Sequence, residues 1–114
     1  MAATVAQRIG AHFDSQGPRE ILVPEWGEGA APLLICVEPM TVSELQQIKA
    51  AGEDGSLEFL VRAIVLKARE ESGARMFSRG DIYTLMHEAA AWVVQRVALE
   101  ILDQDSPGED ELGN

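Results

Sequence analysis

A chain of 114 residues, 46% hydrophobic and 25% charged, has the length and make-up of one globular domain, so wholesale disorder is excluded. Nine Lys and Arg against nineteen Asp and Glu give a net charge of −10, which repels nucleic acid and anionic membranes and favours basic or amphipathic protein partners. The lone cysteine, Cys36, excludes an internal disulfide framework, and no apolar run reaches the roughly eighteen residues that a membrane-spanning helix needs.

Residues 1–19 read as a flexible lead, punctuated by Gly10, Gly17 and Pro18, in which only Val5 and Ile9 could share a helical face. Met1–Gly10 has no long apolar stretch of the kind a secretory signal carries, and a reducing compartment suits the single thiol. Glu20–Val23 and Leu33–Val37 are short apolar runs stopped by Pro24 and Pro39, and the segment between them is rich in turn formers. Together they predict a β-hairpin with a long loop. Both runs are continuous rather than alternating, which leads us to expect cover on both faces and a buried, inert Cys36.

Thr41-Val42-Ser43-Glu44 matches a capping box and opens a helix over 41–51, with Val42, Leu45 and Ile48 along one side. The strongest helical pattern runs from Ser56 to Ser72, with Leu57, Leu60, Val61, Ile64 and Ala68 at helical spacing. Further apolar residues widen this stripe enough to place the helix at the centre of the core, and Gly73 is the natural residue to end it. Ser78 is a good N-cap, with Asp81 in the first turn behind it. From there Ile82, Leu85, Met86 and Ala89 form one face and Val94, Val97, Ala98 and Ile101 another, slightly out of phase. One bent helix and two helices both fit residues 79–102. Residues 103–114, with Ser-Pro-Gly, five acids and one aliphatic side chain, read as a disordered acidic tail. The expected fold is α+β: an N-terminal hairpin packed on three to four helices over residues 20–102.

Chemistry has few footholds. His12 and His87 lie in unrelated segments, and a strand cysteine in an acidic chain is the opposite of an activated nucleophile. No His or Cys pair has metal-ligand spacing. Asp103, Asp105 and Gly108 echo a calcium loop, but Pro107 and Asn114 occupy two of its ligand positions. The Gly27–Pro32 stretch lacks the third glycine of a dinucleotide fingerprint and carries Glu28 where pyrophosphate would sit. The basic residues are scattered among acids rather than gathered into a phosphate track. No catalytic residue, metal or cofactor is therefore expected. What remains is apolar surface: Trp26 on a loop, Met76 and Phe77 on a connection, and Trp92 in line with Arg96 and Leu99. These six are the candidate partner-binding residues, with Trp92 stacked under Arg96 as an anchor.

One ordered series of segments resembles the short tail assembly chaperones of long-tailed phages and prophages. It begins with Val23-Pro24-Glu25-Trp26-Gly27, then Pro39-Met40-Thr41 opening a helix. Leu57 to Ala68 follows, continuing as Arg69-Glu70-Glu71-Ser72-Gly73-Ala74-Arg75-Met76-Phe77, and the series closes with Asp81 to Leu102. It covers residues 20–102, and its order and spacing carry it. Relatives of this kind tend to place an acidic N-cap and a proline before the last helix, where this chain has Ala89-Ala90-Ala91.

The resemblance implies a cytoplasmic protein of the bacterial host, absent from the mature virion, that binds the tape measure protein and keeps it soluble until tube subunits polymerise around it. It also implies a longer, frameshifted form that recruits tail tube protein. A second copy of the chain is a further candidate partner. The competing expectations are an acidic inhibitor or adaptor that binds a host protein, and a structural tail component. Acids spread over all segments disfavour the first, and a mostly helical pattern disfavours the second.

Overall fold

The computed structural model describes residues 2–53 and 55–103, and the expected acidic tail lies outside them apart from Asp103. The architecture is α+β. Among the described residues, five helices accompany one two-stranded antiparallel sheet, in the order α1 (Val5–Gln16), β1 (Arg19–Glu28), β2 (Ala31–Val37), α2 (Val42–Lys49), α3 (Leu57–Lys67), α4 (Asp81–His87) and α5 (Ala91–Leu102). Three to four helices were expected. Residues 79–102 form two helices, the upper of the two expected counts, and the fifth helix is α1.

The segment read as a lead without structure is helical because Thr4 caps it. The Thr4 hydroxyl accepts from the Gln7 amide at 3.1 Å and the Gln7 side chain accepts from the Thr4 amide at 2.8 Å. No residue of α1 is buried, so this helix rests on its cap and backbone rather than on core packing.

The hairpin differs from its expected form in two ways. The strands reach the turn itself: Glu28 pairs with Ala31, so the connection is two residues long and Trp26 lies on β1 rather than on a loop. Between Val23 and Glu28 the chain advances five residues while β2 advances two, and this irregularity absorbs Pro24, which cannot donate to the ladder. Burial also alternates. Ile21, Val23, Ile35 and Val37 enter the core, whereas Leu22 is exposed and Leu34 and Cys36 are half-buried on the outer face. The helices cover one face of the sheet, so Cys36 is only partly buried.

α3 is the central element, packing against α2, α4 and α5, while α5 also packs on β1. Phe59, Leu60, Val61, Ala63, Ile64 and Val65 of α3 meet Val93, Val94, Val97, Ala98 and Ile101 of α5 and the inner face of the hairpin in one core. The predicted helix over 56–72 stops at Lys67. The backbone of Arg69 exchanges two hydrogen bonds with Cys36, N to O at 2.9 Å and O from N at 2.8 Å, which pulls the chain out of the helix and onto the edge of β2. Arg69 then pairs with Arg75, and Gly73 lies in the turn between them rather than following a helix end.

The capping box of α2 forms as predicted, with Thr41 and Glu44 bonded reciprocally. Ser78 donates its amide to Asp81 Oδ2 at 2.8 Å, but the helix proper starts two residues after Ser78's expected first turn, at Asp81. The chain breaks between α4 and α5, with Ala90 extended at φ −65° and ψ 130° and no side-chain cap on α5.

Candidate partner-binding surface

The sequence-predicted residues fall into two groups. Trp26, Met76 and Phe77 come together as one wall of an apolar groove of about 440 Å³, completed by Leu33, Thr84, Leu85, Glu88 and Ala89. The Trp26 and Phe77 rings meet edge to face, centroids 6.5 Å apart and planes at 79°, a favourable arrangement for aromatic quadrupoles. Four parts of the fold build this groove, Leu33 coming from β2. β1 brings Trp26 through its irregularity, the 68–80 connection brings Met76 and Phe77, and α4 with the following turn forms the opposite wall. The amide of Met76 donates to the Ala68 carbonyl at 3.2 Å and holds the connection against the end of α3. All three predicted side chains are half-buried against the core, so they frame the groove rather than stand free in solvent.

Trp92, Arg96 and Leu99 form the second group, a ridge along the outer face of α5. Trp92 and Leu99 are 59% and 58% exposed, large apolar side chains left outside the core among the described residues. The Arg96 guanidinium lies 5.6 Å from the centre of the Trp92 ring, the stacking expected from their spacing. Its other engagement was missed. Glu25, the residue before Trp26, receives both Arg96 nitrogens, Nη1 to Oε2 at 2.9 Å and Nη2 to Oε1 at 2.8 Å. The bond from Arg96, reinforced by the backbone of Glu25 itself, lowers the Glu25 carboxyl from 4.5 to about 2, and the same pairing raises Arg96. The two groups are thereby joined through adjacent residues of β1.

Sequence reasoning missed the far wall of the groove. Leu33 and Leu85 were read as strand and helix core, and nothing in their spacing shows that each leaves one side to a cleft. The groove residues Leu85 and Ala89 also line a smaller cleft of about 60 Å³ with Leu57, Val61, Met86, Ala91 and Val94.

His87 is exposed, with its ring 4.4 Å from that of Tyr83. Burial raises the Cys36 thiol, and the neighbouring carboxylates of Glu20, Glu71 and Glu38 push it the same way, opposite to the shift that activates a nucleophile. Among the described residues, no group of three His, Cys, Asp or Glu side chains could hold a metal ion. No helix among them is long and apolar enough to cross a membrane. No protein-family model, curated protein or solved structure matches this chain.

Proposed function

We propose that this protein is a phage tail assembly chaperone that binds the tape measure protein before tube polymerisation, acting in the bacterial host's cytoplasm and leaving before the virion is complete. The observation that carries the reading is the groove of about 440 Å³ framed by Trp26, Met76 and Phe77, linked through the Glu25–Arg96 bond to the exposed Trp92–Leu99 ridge. An unassembled, mostly helical polypeptide exposes apolar stripes. A groove lined by aromatic and methionine side chains receives side chains at i, i+3 and i+4 of such a helix. The acidic surface complements lysine-rich stretches of the same partner and speeds encounter. Of the residues that line the groove, Glu88 alone carries an ionisable side chain of acid or base type, an arrangement suited to holding a chain rather than transforming a substrate.

The test is calorimetry against helical segments of a phage tape measure protein, with folded wild-type, Trp92→Ala and Phe77→Ala proteins. Removal of a central aromatic anchor should weaken binding by about 2 kcal/mol, or roughly thirtyfold. Trp92→Ala should leave the melting temperature nearly unchanged, because the ring is exposed. Phe77→Ala should lower it by a few degrees, because that ring packs on the core. Undiminished affinity in both variants would remove the proposed surface. Stoichiometric recovery of the protein from mature particles would remove the chaperone reading altogether.

A further inference from the structure

The fold gathers three of the chain's nine basic residues into a second cavity that the chaperone reading does not use. Arg62 on the outer side of α3, Arg75 on the strand-like stretch paired with Arg69, and Arg79 in the turn before α4 all line a cavity of about 200 Å³. Gln47 of α2 completes the polar wall, and Val65, Leu66 and Ile82 form its floor. These seven residues come from four separate stretches of chain, so the grouping is a product of the fold rather than of a basic run. Among the described residues, none of the three guanidinium groups has an ion pair or a hydrogen bond.

Two of the chain's other cations sit on acids: Lys67 meets Glu44 and Arg96 meets Glu25. Asp81, the acid nearest Arg79 in sequence, is turned to its own helix start, accepting from the Ser78 amide at 2.8 Å and hydroxyl at 3.2 Å. The sequence has nineteen acids, yet none lines the cavity that these three arginines share. Like charges held on a common wall repel, and a bound anion relieves that repulsion while accepting several charge-assisted hydrogen bonds.

We propose that this cavity is a phosphate site, taking inorganic phosphate or the phosphate of a small monoester. Guanidinium forks match the geometry of phosphate oxygens, and the Gln47 amide supplies a further donor. A compact dianion also fits the cavity's size, and the net charge of −10 disfavours an extended polyanion such as nucleic acid.

The experiment is an NMR titration of the full chain that follows the arginine Nε–H and glutamine amide signals at constant ionic strength. The probes are inorganic phosphate, glycerol 3-phosphate, chloride and a tri-glutamate peptide. The expected result is saturable shifts at Arg62, Arg75, Arg79 and Gln47 with phosphate or its ester, the tighter of the two naming the form bound, and no saturation with chloride. Arg62→Gln, Arg75→Gln and Arg79→Gln should each weaken phosphate about five- to tenfold, as loss of one charge-assisted bond at a solvent-facing site predicts. Thermal unfolding in saturating phosphate should shift upward in the wild type and not in the triple variant. Linear shifts matched by chloride, phosphate binding that survives the triple substitution, or tighter binding of tri-glutamate than of either phosphate would overturn the assignment.

Discussion

Arg96 on α5 holds Glu25 on β1 by two parallel hydrogen bonds of 2.9 and 2.8 Å, and so ties the last helix to the strand that carries Trp26. The pair sits at the surface, where an ion pair contributes little to stability but fixes geometry. The same guanidinium lies over the Trp92 ring, so one side chain engages both the ridge of α5 and the strand before Trp26. Because the folded-state carboxyl titrates at about 2 rather than 4.5, the unfolded chain binds more protons in this range. The pair's stabilisation is therefore fully present above pH 4.5 and is lost as pH falls toward 2. Denaturant titrations at stepped pH should show a steeper loss of stability over that window in the wild type than in Glu25→Gln, whose slope there should be shallower. Equal slopes would show that Arg96 does not hold Glu25 in solution.

Lys67 poses the opposite case, a cation at 3% exposure at the end of α3. Its Nζ donates to Glu44 Oε1 at 2.7 Å and to the Pro39 carbonyl at 3.1 Å. Burial would raise the Glu44 carboxyl, but the bonds from Lys67 and Thr41 outweigh it and hold the group below its usual range. Glu44 thus serves both the cap of α2 and the charge of Lys67, fastening α2 to α3. Glu44→Ala should cost about 2–4 kcal/mol by leaving a buried ammonium without its partner. Lys67→Met, which removes the charge and keeps the volume, should cost less than half as much. Chemical unfolding of the two variants measures the difference, and a larger loss in Lys67→Met would show that the ion pair itself is the stabilising element.

Gly27 is required by contact rather than by backbone angle. A Cβ at this position would lie 2.1 Å from the Ala31 carbonyl oxygen and 2.7 Å from the Pro32 Cα, both backbone atoms of the facing strand. Gly27→Ala should therefore spread the hairpin beside Trp26 and cost about 3 kcal/mol. Gly29, in the turn at φ +61°, has open space around it, so Gly29→Ala should cost only the left-handed penalty of about 1 kcal/mol. Melting curves for both variants, with Trp26 emission as the probe, test the ranking.

The parts of this fold that a local pattern encodes were legible. The Thr41–Glu44 box, the core stripe of α3 and the two apolar runs of the hairpin are each written within a few residues. What stayed hidden depends on partners far away in sequence. Residues Ala68 to Ser72 favour helix, yet the paired bonds between Arg69 and Cys36 outweigh that preference and end α3 early. Trp26 looked like a loop residue because Gly27 and Gly29 flank it, and only the close approach to Ala31 shows the glycine as a strand contact. The candidate surface was legible by residue type, since aromatic and methionine side chains left over from the core are few. The Glu25–Arg96 bond joins residues 71 positions apart, and the convergence of Arg62 with Arg75 and Arg79 spans up to 17, with no pattern to announce either.

The break before α5 is the least supported feature of the helical half, and it is open to improvement. Ala90 holds an extended N-cap geometry, φ −65° and ψ 130°, but an alanine has no oxygen to accept from the free amides of the first turn. The exposed position leaves room for a polar side chain. Ala90→Asp should supply that acceptor and place a negative charge at the positive end of the helix dipole, stabilising the protein by about 1 kcal/mol. Ala90→Gly, which relaxes the backbone without adding an acceptor, should gain no more than a few tenths of a kcal/mol. If the aspartate destabilises instead, residues 88–92 are continuous helix in solution, because an Asp within a helix interior competes with the backbone hydrogen bonds that a single bent helix would need. Amide exchange at Ala91 and Trp92 separates the two cases, since these amides lie ahead of the first backbone bond of α5, made by Val93 to Ala90, but would be protected in mid-helix.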